Sequence, residues 1–295
     1  VLDRSDVFDP ELTARLSRFS IPGPPSPHPH RGQHRSPRRG ASLEFSEHTQ
    51  YAPGDDLRHL DWKVFAKTDR YLVKRYEDER LQRVVLLVDA SASMSYGGEA
   101  GTSRGSKYHL AARAGVALAA CLLRQGGAVA GGGQSAWLPP RSGSGHLEAV
   151  IEVLAGTRPS GTADVTGACR SVGERLKRGA SVFVLSDFLD EGQEELPGGR
   201  LLRARGLAPR MVQVLHAHEL DLPFENTTRF EDLEGPQFLV LDPVPIRRAY
   251  AEEMRAFVRG VARMAEALGV AYGFLSTGED PAPTLSRLLG TLGGR

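Results

Sequence analysis

Two runs of branched apolar residues each stop on an aspartate, and no other feature of this chain restricts its fold as tightly. Val84, Val85, Leu86, Leu87 and Val88 run into Asp89, and Val182, Phe183, Val184, Leu185 and Ser186 run into Asp187. A continuous apolar run of that length predicts a strand buried on both faces, as in parallel sheets covered by helices. After the first run, Ser106 stands where it can cap a helix over residues 107–124, in which Leu110, Ala114, Ala117, Leu118, Cys121 and Leu122 recur at helical spacing. A glycine-interrupted strand at residues 128–132 and helices at 145–154 and 164–177 lead to the second run. A helix around 194–205, a strand at 211–216 and a hairpin joining 228–233 with 237–241 come next. A helix over 245–268 and a strand at 270–275 complete the pattern. Strands alternating with helices predict an α/β, Rossmann-like fold with a doubly wound, mostly parallel sheet.

The region before the first core strand has a different texture. Residues 9–19 suit a short helix, whereas residues 22–40 hold six prolines, three histidines and four arginines without an acid, and read as an extended arm. Prolines between His28, His30 and His34 oppose a compact metal cage there, so a solvated linker is expected. Residues 42–76 mix aromatic and charged residues with turn signals, which predicts a small β-rich add-on. The expected organisation is therefore an N-terminal segment with its arm (residues 1–40), the β-rich segment (41–82), the main α/β domain (83–278) and a C-terminal tail (279–295).

Charge and cysteine usage exclude several classes. The 37 basic residues are matched by 36 acidic ones, a formal charge of +1, so no global field is available to hold nucleic acid or an anionic membrane. The Arg31 to Arg39 arm is the one local basic stretch, and aromatics suitable for stacking on bases are missing beside it. Cys121 and Cys169 are the only cysteines, which suggests no disulfide and a reducing, cytoplasmic setting. The apolar run 115–123 is about half the length that a membrane span requires, so no span is expected, and no signal peptide is expected after Val1.

Ligands of open α/β sheets collect where loops leave the carboxyl ends of strands. The first strand enters Asp89-Ala90-Ser91-Ala92-Ser93, where alternate spacing lets one carboxylate and two hydroxyls converge on a single hard cation. Asp187 ends the second strand, and Thr162, in a Ser160-Gly161-Thr162 loop before a helix, offers a third hydroxyl. Such oxygen donors suit magnesium first, with manganese and calcium as alternatives, and not zinc. Two carboxylates balance a divalent ion and leave a water position that an acidic group of a partner can take. The bland alternatives are that the serines cap the next helix and that Thr162 caps the helix near Asp164. A second functional alternative is a metal-dependent phosphohydrolase at the same strand end, although such enzymes use Asp-x-Asp and Ser91 stands where the proton-exchanging aspartate belongs. Three weaker signals remain. The run Gly101 to Lys107 lacks the Gly-Lys-Ser/Thr ending of a phosphate loop, Ser144 lacks a nucleophile-elbow frame, and His216 with His218 fits a strand-end role better than a paired metal site.

The Asp-Ala-Ser-Ala-Ser loop, the Gly-Thr loop and the Leu-Ser-Asp strand end, in that order, resemble the five-part metal-ion-dependent adhesion site of von Willebrand factor type A domains. Residues 38–79, RRGASLEFSEHTQYAPGDDLRHLDWKVFAKTDRYLVKRYEDE, are similar to the bacterial domain-of-unknown-function family 58, whose members contain such a domain. The combined resemblance spans residues 38–275. Carried over position by position, it makes Asp89, Ser91, Ser93, Thr162 and Asp187 the metal ligands. It implies a non-enzymatic protein-binding adaptor, with a MoxR-type AAA+ ATPase as the partner. Many members carry membrane helices ahead of this region, from which this chain departs. In the most family-specific text, Asp55, Asp56, Arg58, Asp61 and Trp62 form either a partner-docking surface or an internally paired and packed cluster.

Overall fold

The computed structural model describes residues 2–19, 44–50, 61–62, 64–65, 71–77, 83–99, 102–132, 137–143, 145–189 and 196–293. The chain divides into two compact units, Val1–Pro25 with Gln82–Arg295, and Ser26–Leu81. In chain order the helices are α1 (Arg4–Val7), α2 (Pro10–Leu16), α3 (Lys107–Arg124), α4 (Gly145–Gly156), α5 (Val165–Arg175), α6 (Gly199–Ala204), α7 (Ala217–Asp221), α8 (Arg247–Ala267) and α9 (Ala282–Gly290). The strands are β1 (Glu44–Gln50), β2 (Leu72–Glu77), β3 (Arg83–Val88), β4 (Ala128–Gly132), β5 (Trp137–Arg141), β6 (Ser181–Ser186), β7 (Ala208–Leu215), β8 (Thr228–Glu231), β9 (Phe238–Leu241) and β10 (Ala271–Ser276).

The larger unit is built on a six-stranded sheet in the order β10-β7-β6-β3-β4-β5. All neighbours are parallel except the β4–β5 pair, so the fold is mixed α/β with a mostly parallel central sheet, compatible with a Rossmann-like arrangement. The two runs that end in aspartate are the central neighbours β3 and β6, in register from Val84 opposite Ser181 to Val88 opposite Leu185. Their side chains alternate as the pleat requires: Val84, Leu86 and Val88 enter one core, Val85 and Leu87 the other. β5 contains Pro139 and Pro140, which suits only an edge, where an absent amide donor leaves no gap in the ladder.

Helix α3 explains how a long apolar run stays within a folded domain. Ser106 caps it, its Oγ accepting from the His109 amide at 3.1 Å, and most of its residues are buried on all sides. The sheet and α4 cover part of that surface, and α1 and α2 cover more, tied down by Arg104 to Asp6 and Arg113 to Asp9. Among the described residues, no helix is long and apolar enough to cross a membrane. Residues 279–295, expected as a tail, contain α9 instead: Ala282, Leu285, Leu288 and Leu289 recur at helical spacing and are buried in the same core. The predicted helix over 194–205 is shorter, confined to α6 among the described residues, while the hairpin and the capped α3 form as expected.

In the smaller unit β1 and β2 pair antiparallel with an irregularity between Phe45 and Glu47, in line with the expected short strands. The arm of residues 22–40, including His28, His30 and His34, lies outside the described residues, as does Ser144.

Leu288 is fully buried, so Leu288→Ala should lower unfolding stability by about 2–5 kcal/mol through lost contacts and a residual cavity. Urea denaturation checks this, and an unchanged midpoint would place α9 outside the cooperative core.

Candidate functional site

Successive strands move from β3 to β4 on one side and to β6, β7 and β10 on the other, so the strand order reverses between β3 and β6. In open α/β sheets the crevice at the carboxyl ends of such a pair is where ligands bind. Asp89 leaves β3 there, its amide still donating to the Leu185 carbonyl at 2.9 Å. That pairing sets it beside Ser186, whose hydroxyl donates to Asp89 Oδ2 at 2.6 Å, while the Ser91 amide donates to Asp89 Oδ1 at 2.9 Å. Burial pushes the Asp89 carboxyl above its ordinary value; the Ser186 and Ser91 bonds oppose this and the charge of Asp187 adds to it.

The next residues enter a 3-10 turn, Ala92–Ser95, which returns the chain over the strand end. Ser91 Oγ and Ser93 Oγ are 3.0 Å apart, and the Ser93 hydroxyl donates to Asp187 Oδ2 at 2.9 Å. Beyond Asp187, Phe188 takes φ of 54°, a left-handed conformation costly for a bulky residue, and its buried side chain anchors the bend. The Leu189 amide then donates back to Asp187 Oδ1 at 3.3 Å.

The loop carrying Thr162 is fastened to the same place by backbone. The Ser160 amide donates to the Ala90 carbonyl and the Ala92 amide to the Gly161 carbonyl, both at 2.8 Å. Gly161 permits this at φ of 74°, where a side chain would be strained. The structure thus joins Asp89, Ser91, Ser93 and Asp187 through hydrogen bonds and fastens the loop of Thr162 beside them, with the Thr162 side chain exposed. The helix cap that was the alternative for Thr162 is supplied by Asp164, whose Oδ1 accepts from the Gly167 amide at 2.7 Å.

Three charged residues complete the site: Glu219 and Glu234, which the sequence does not single out, and Lys107, which it offers only as the end of a discarded phosphate loop. Lys107, the first residue of α3, is 1% exposed and its Nζ donates to Asp187 Oδ2 and to Glu219 Oε1, both at 2.7 Å. Burial alone would lower its pKa, but the two carboxylates outweigh burial and hold it above the ordinary lysine value. Glu219 sits in α7; burial raises its carboxyl against the opposing pull of Lys107. Glu234, in the turn between β8 and β9, accepts from the Ser93 amide at 3.3 Å through Oε1 and from the Ala163 amide at 3.1 Å through Oε2. A lysine opening a largely apolar helix is the available sequence signal for Lys107. The other two lie too far along the chain for spacing to reveal them.

Other candidates resolve as follows. His216 lies just beyond β7 and caps α7, its Nδ1 accepting from the His218 amide at 3.1 Å, so the two histidines do not alternate on a strand. The His216 ring also packs edge-on to Tyr96, and Gly97 makes room for it, since a Cβ there would come within 2.2 Å of Cδ2. Asp61 is buried and accepts from the Val64 amide at 3.3 Å, whereas Trp62 is exposed and meets Phe65 edge-on. Asp55, Asp56 and Arg58 lie outside the described residues.

The donor set fits a hard divalent cation in chemistry and charge. Its members are carboxylate and hydroxyl oxygens, the donors hard cations take; among the described residues no three His, Cys, Asp or Glu side chains are grouped so as to hold a metal ion by themselves, so hydroxyls would have to supply part of the shell. Asp89, Asp187, Glu219 and Glu234 set four carboxylates against the one ammonium of Lys107, so negative charge is in excess there. Fold and site together define an α/β protein with an oxygen-rich site at the switch point of a mostly parallel sheet.

Residues 47–258 match the family described as "Protein of unknown function DUF58", and the chain belongs to that family. It is 28% identical over 294 residues to the uncharacterized protein Rv1480 of Mycobacterium tuberculosis and to the uncharacterized protein Mb1516 of Mycobacterium bovis. Each alignment covers 94% of this chain and 88% of the relative. Among solved structures, the conserved hypothetical protein BatB from Bacteroides thetaiotaomicron aligns with a TM-score of 0.45 at 13% identity, over 71% of this chain and 98% of that one. An aerotolerance-related membrane protein from Bacteroides fragilis aligns with a TM-score of 0.41 at 16% identity, over 71% of this chain and 96% of that one.

Removing the buried ammonium should expose the charge imbalance. Lys107→Met strands two carboxylates and is expected to cost about 3–5 kcal/mol of stability in chelator-treated protein. Equal melting temperatures for both proteins without cation would show that Lys107 balances nothing.

Proposed function

We propose that this chain is a protein-binding adaptor with a von Willebrand factor type A-like domain, in which Asp89, Ser91, Ser93, Thr162 and Asp187 form a metal-ion-dependent adhesion site. The observation that carries this reading is the hydrogen-bonded array linking Ser91, Ser93 and Asp187 beside the buried carboxylate of Asp89. The Ser93 hydroxyl bonds Asp187 and lies within hydrogen-bonding distance of Ser91, and the backbone clamp from residues 160–161 to Ala90 and Ala92 holds the loop that carries Thr162 beside them, which supports this reading. Magnesium is the expected ion, with manganese and calcium able to substitute, and when bound it supplies a point of positive charge that a partner's carboxylate can bind.

The residues of the chain do the rest. Ser186 bonds Asp89 across the two strands and the Leu189 amide bonds Asp187 beyond the bend at Phe188, so the carboxylates are held before any ligand arrives. Lys107 keeps Asp187 oriented and lowers the repulsion between the carboxylates. The acceptor is an acidic group of another protein, for which the family resemblance suggests a MoxR-type AAA+ ATPase. Asp55, Asp56, Arg58 and Trp62 are proposed as a second contact surface, a reading that the exposure of Trp62 favours, while the buried Asp61 suits the internal role weighed for that cluster. Two free, buried cysteines suit the cytoplasm of a bacterium.

We also propose that the site does not turn over substrate. Ser91 is fully buried and within hydrogen-bonding distance of Ser93, where a phosphohydrolase of the Asp-x-Asp kind needs a carboxyl that exchanges protons.

Calorimetric titration with magnesium, manganese and calcium tests the centre. Binding is expected in the wild type and its loss in Asp89→Ala, and equal heats from both proteins would end the metal reading. Capture of a purified MoxR-type ATPase should need the divalent ion and fail with Asp89→Ala. Hydrolysis of p-nitrophenyl phosphate with magnesium, abolished by the same substitution, would favour the phosphohydrolase instead.

A further inference from the structure

Glu234 is a carboxylate bonded to the backbone of the two loops that carry Ser93 and Thr162. Its two oxygens accept from two backbone amides on separate loops: Ser93 in the turn after β3, at 3.3 Å, and Ala163 in the loop after α4, at 3.1 Å. Those loops carry Ser93 and Thr162 themselves. A carboxylate accepting from two amides makes charge-assisted bonds that a neutral group cannot match.

The segment that presents Glu234 is preformed but lightly held. Asp232 Oδ1 accepts from the Glu234 amide at 2.8 Å, and the Asp232 amide donates to the Gln237 carbonyl at 2.9 Å, closing the turn between β8 and β9. Among the described residues the two strands pair only with each other. Phe238, Leu239 and Val240 are 58%, 58% and 54% exposed, so the hairpin has little packing of its own, and a two-stranded sheet alone is marginal in water. It is attached next to its turn through a row of edge-on rings, from Phe230 in β8 to Phe224, His218, His216 and Tyr96. Tyr96 follows directly on the 3-10 turn of the site. The hairpin is thus anchored beside the site at Phe230, and the turn beyond it adds the two bonds of the Glu234 carboxylate.

We propose that the amides of Ser93 and Ala163 form a carboxylate-receiving subsite, occupied in cis by Glu234, and that an acidic residue of the partner enters by displacing it. This rests on the reading of the strand-end cluster as a docking site and adds what regulates access to it. Glu234 keeps the site closed to weak carboxylates, and a partner must outcompete a group already at high effective concentration. Displacement also frees the hairpin tip, exchanging the Glu234 contact for an intermolecular one of the same chemistry.

Amide NMR with acetate as the probe tests this on the full chain. In magnesium-free buffer, acetate should move the Ser93 and Ala163 signals in Glu234→Gln at roughly one-tenth of the concentration needed in the wild type, and acetamide should move neither. Equal acetate midpoints in the two proteins would overturn the proposal. A parallel magnesium titration separates the two readings. If signals around Asp89, Ser91 and Asp187 stay still in both proteins, the metal reading fails, while the magnesium-free comparison still decides the subsite. Should Glu234→Gln not fold, saturating acetate on the wild type replaces it. Movement of the amide signals of residues 232–237 together with those of Ser93 and Ala163 supports displacement, and a static turn refutes it.

Discussion

Two aspartates leave the ends of adjacent parallel strands at the point where the strand order reverses, and every loop around the site accommodates the charge this buries. Without Ser186 and the Ser91 amide, the carboxylate of Asp89 would face the core unsolvated. Without Lys107 and Ser93, Asp187 would do the same. Desolvation of an unpaired carboxylate is costly, so the polar array at the strand ends is a condition of folding as well as a candidate site.

The rest of the architecture keeps those strand ends still. β3 and β6 pack on both faces, and α3 brings Lys107 in from its first turn because its apolar surface is held between the sheet, α4 and the N-terminal helices. The first residues of the chain thereby bear indirectly on the site: they cover the helix that delivers its only buried ammonium among the described residues. The β8–β9 hairpin contrasts with this rigidity. Among the described residues it pairs only with itself and exposes its apolar strand, yet its turn reaches the loops that surround the buried carboxylates.

Much of this was legible in the sequence for local reasons. Asp89, Ser91 and Ser93 follow one another at alternate spacing after an unmistakable strand, and Asp187 ends a second strand of the same kind. The cap at Ser106, the hairpin and α8 were each visible as a short-range pattern. Less legible were β5, whose paired prolines argue against a strand unless it lies at an edge, and α9, whose short apolar repeat sits among the final residues. Lys107 was hidden by its setting, because a lysine after a glycine-rich loop reads as a failed phosphate site before it reads as an internal counter-ion. Glu219 and Glu234 carried no signal, since their partners lie 112 and 141 residues away.

Periodicity and the residues at strand ends were enough to determine an α/β sheet with oxygen donors at its rim, because strand burial and the first turn after a strand depend on neighbours in the chain. Which strands would be adjacent, and so which carboxylates would share one ammonium, was decided by the tertiary structure. Charge balance in a buried site sums over distant segments, and only packing brings Lys107, Glu219 and Glu234 to the ends of β3 and β6.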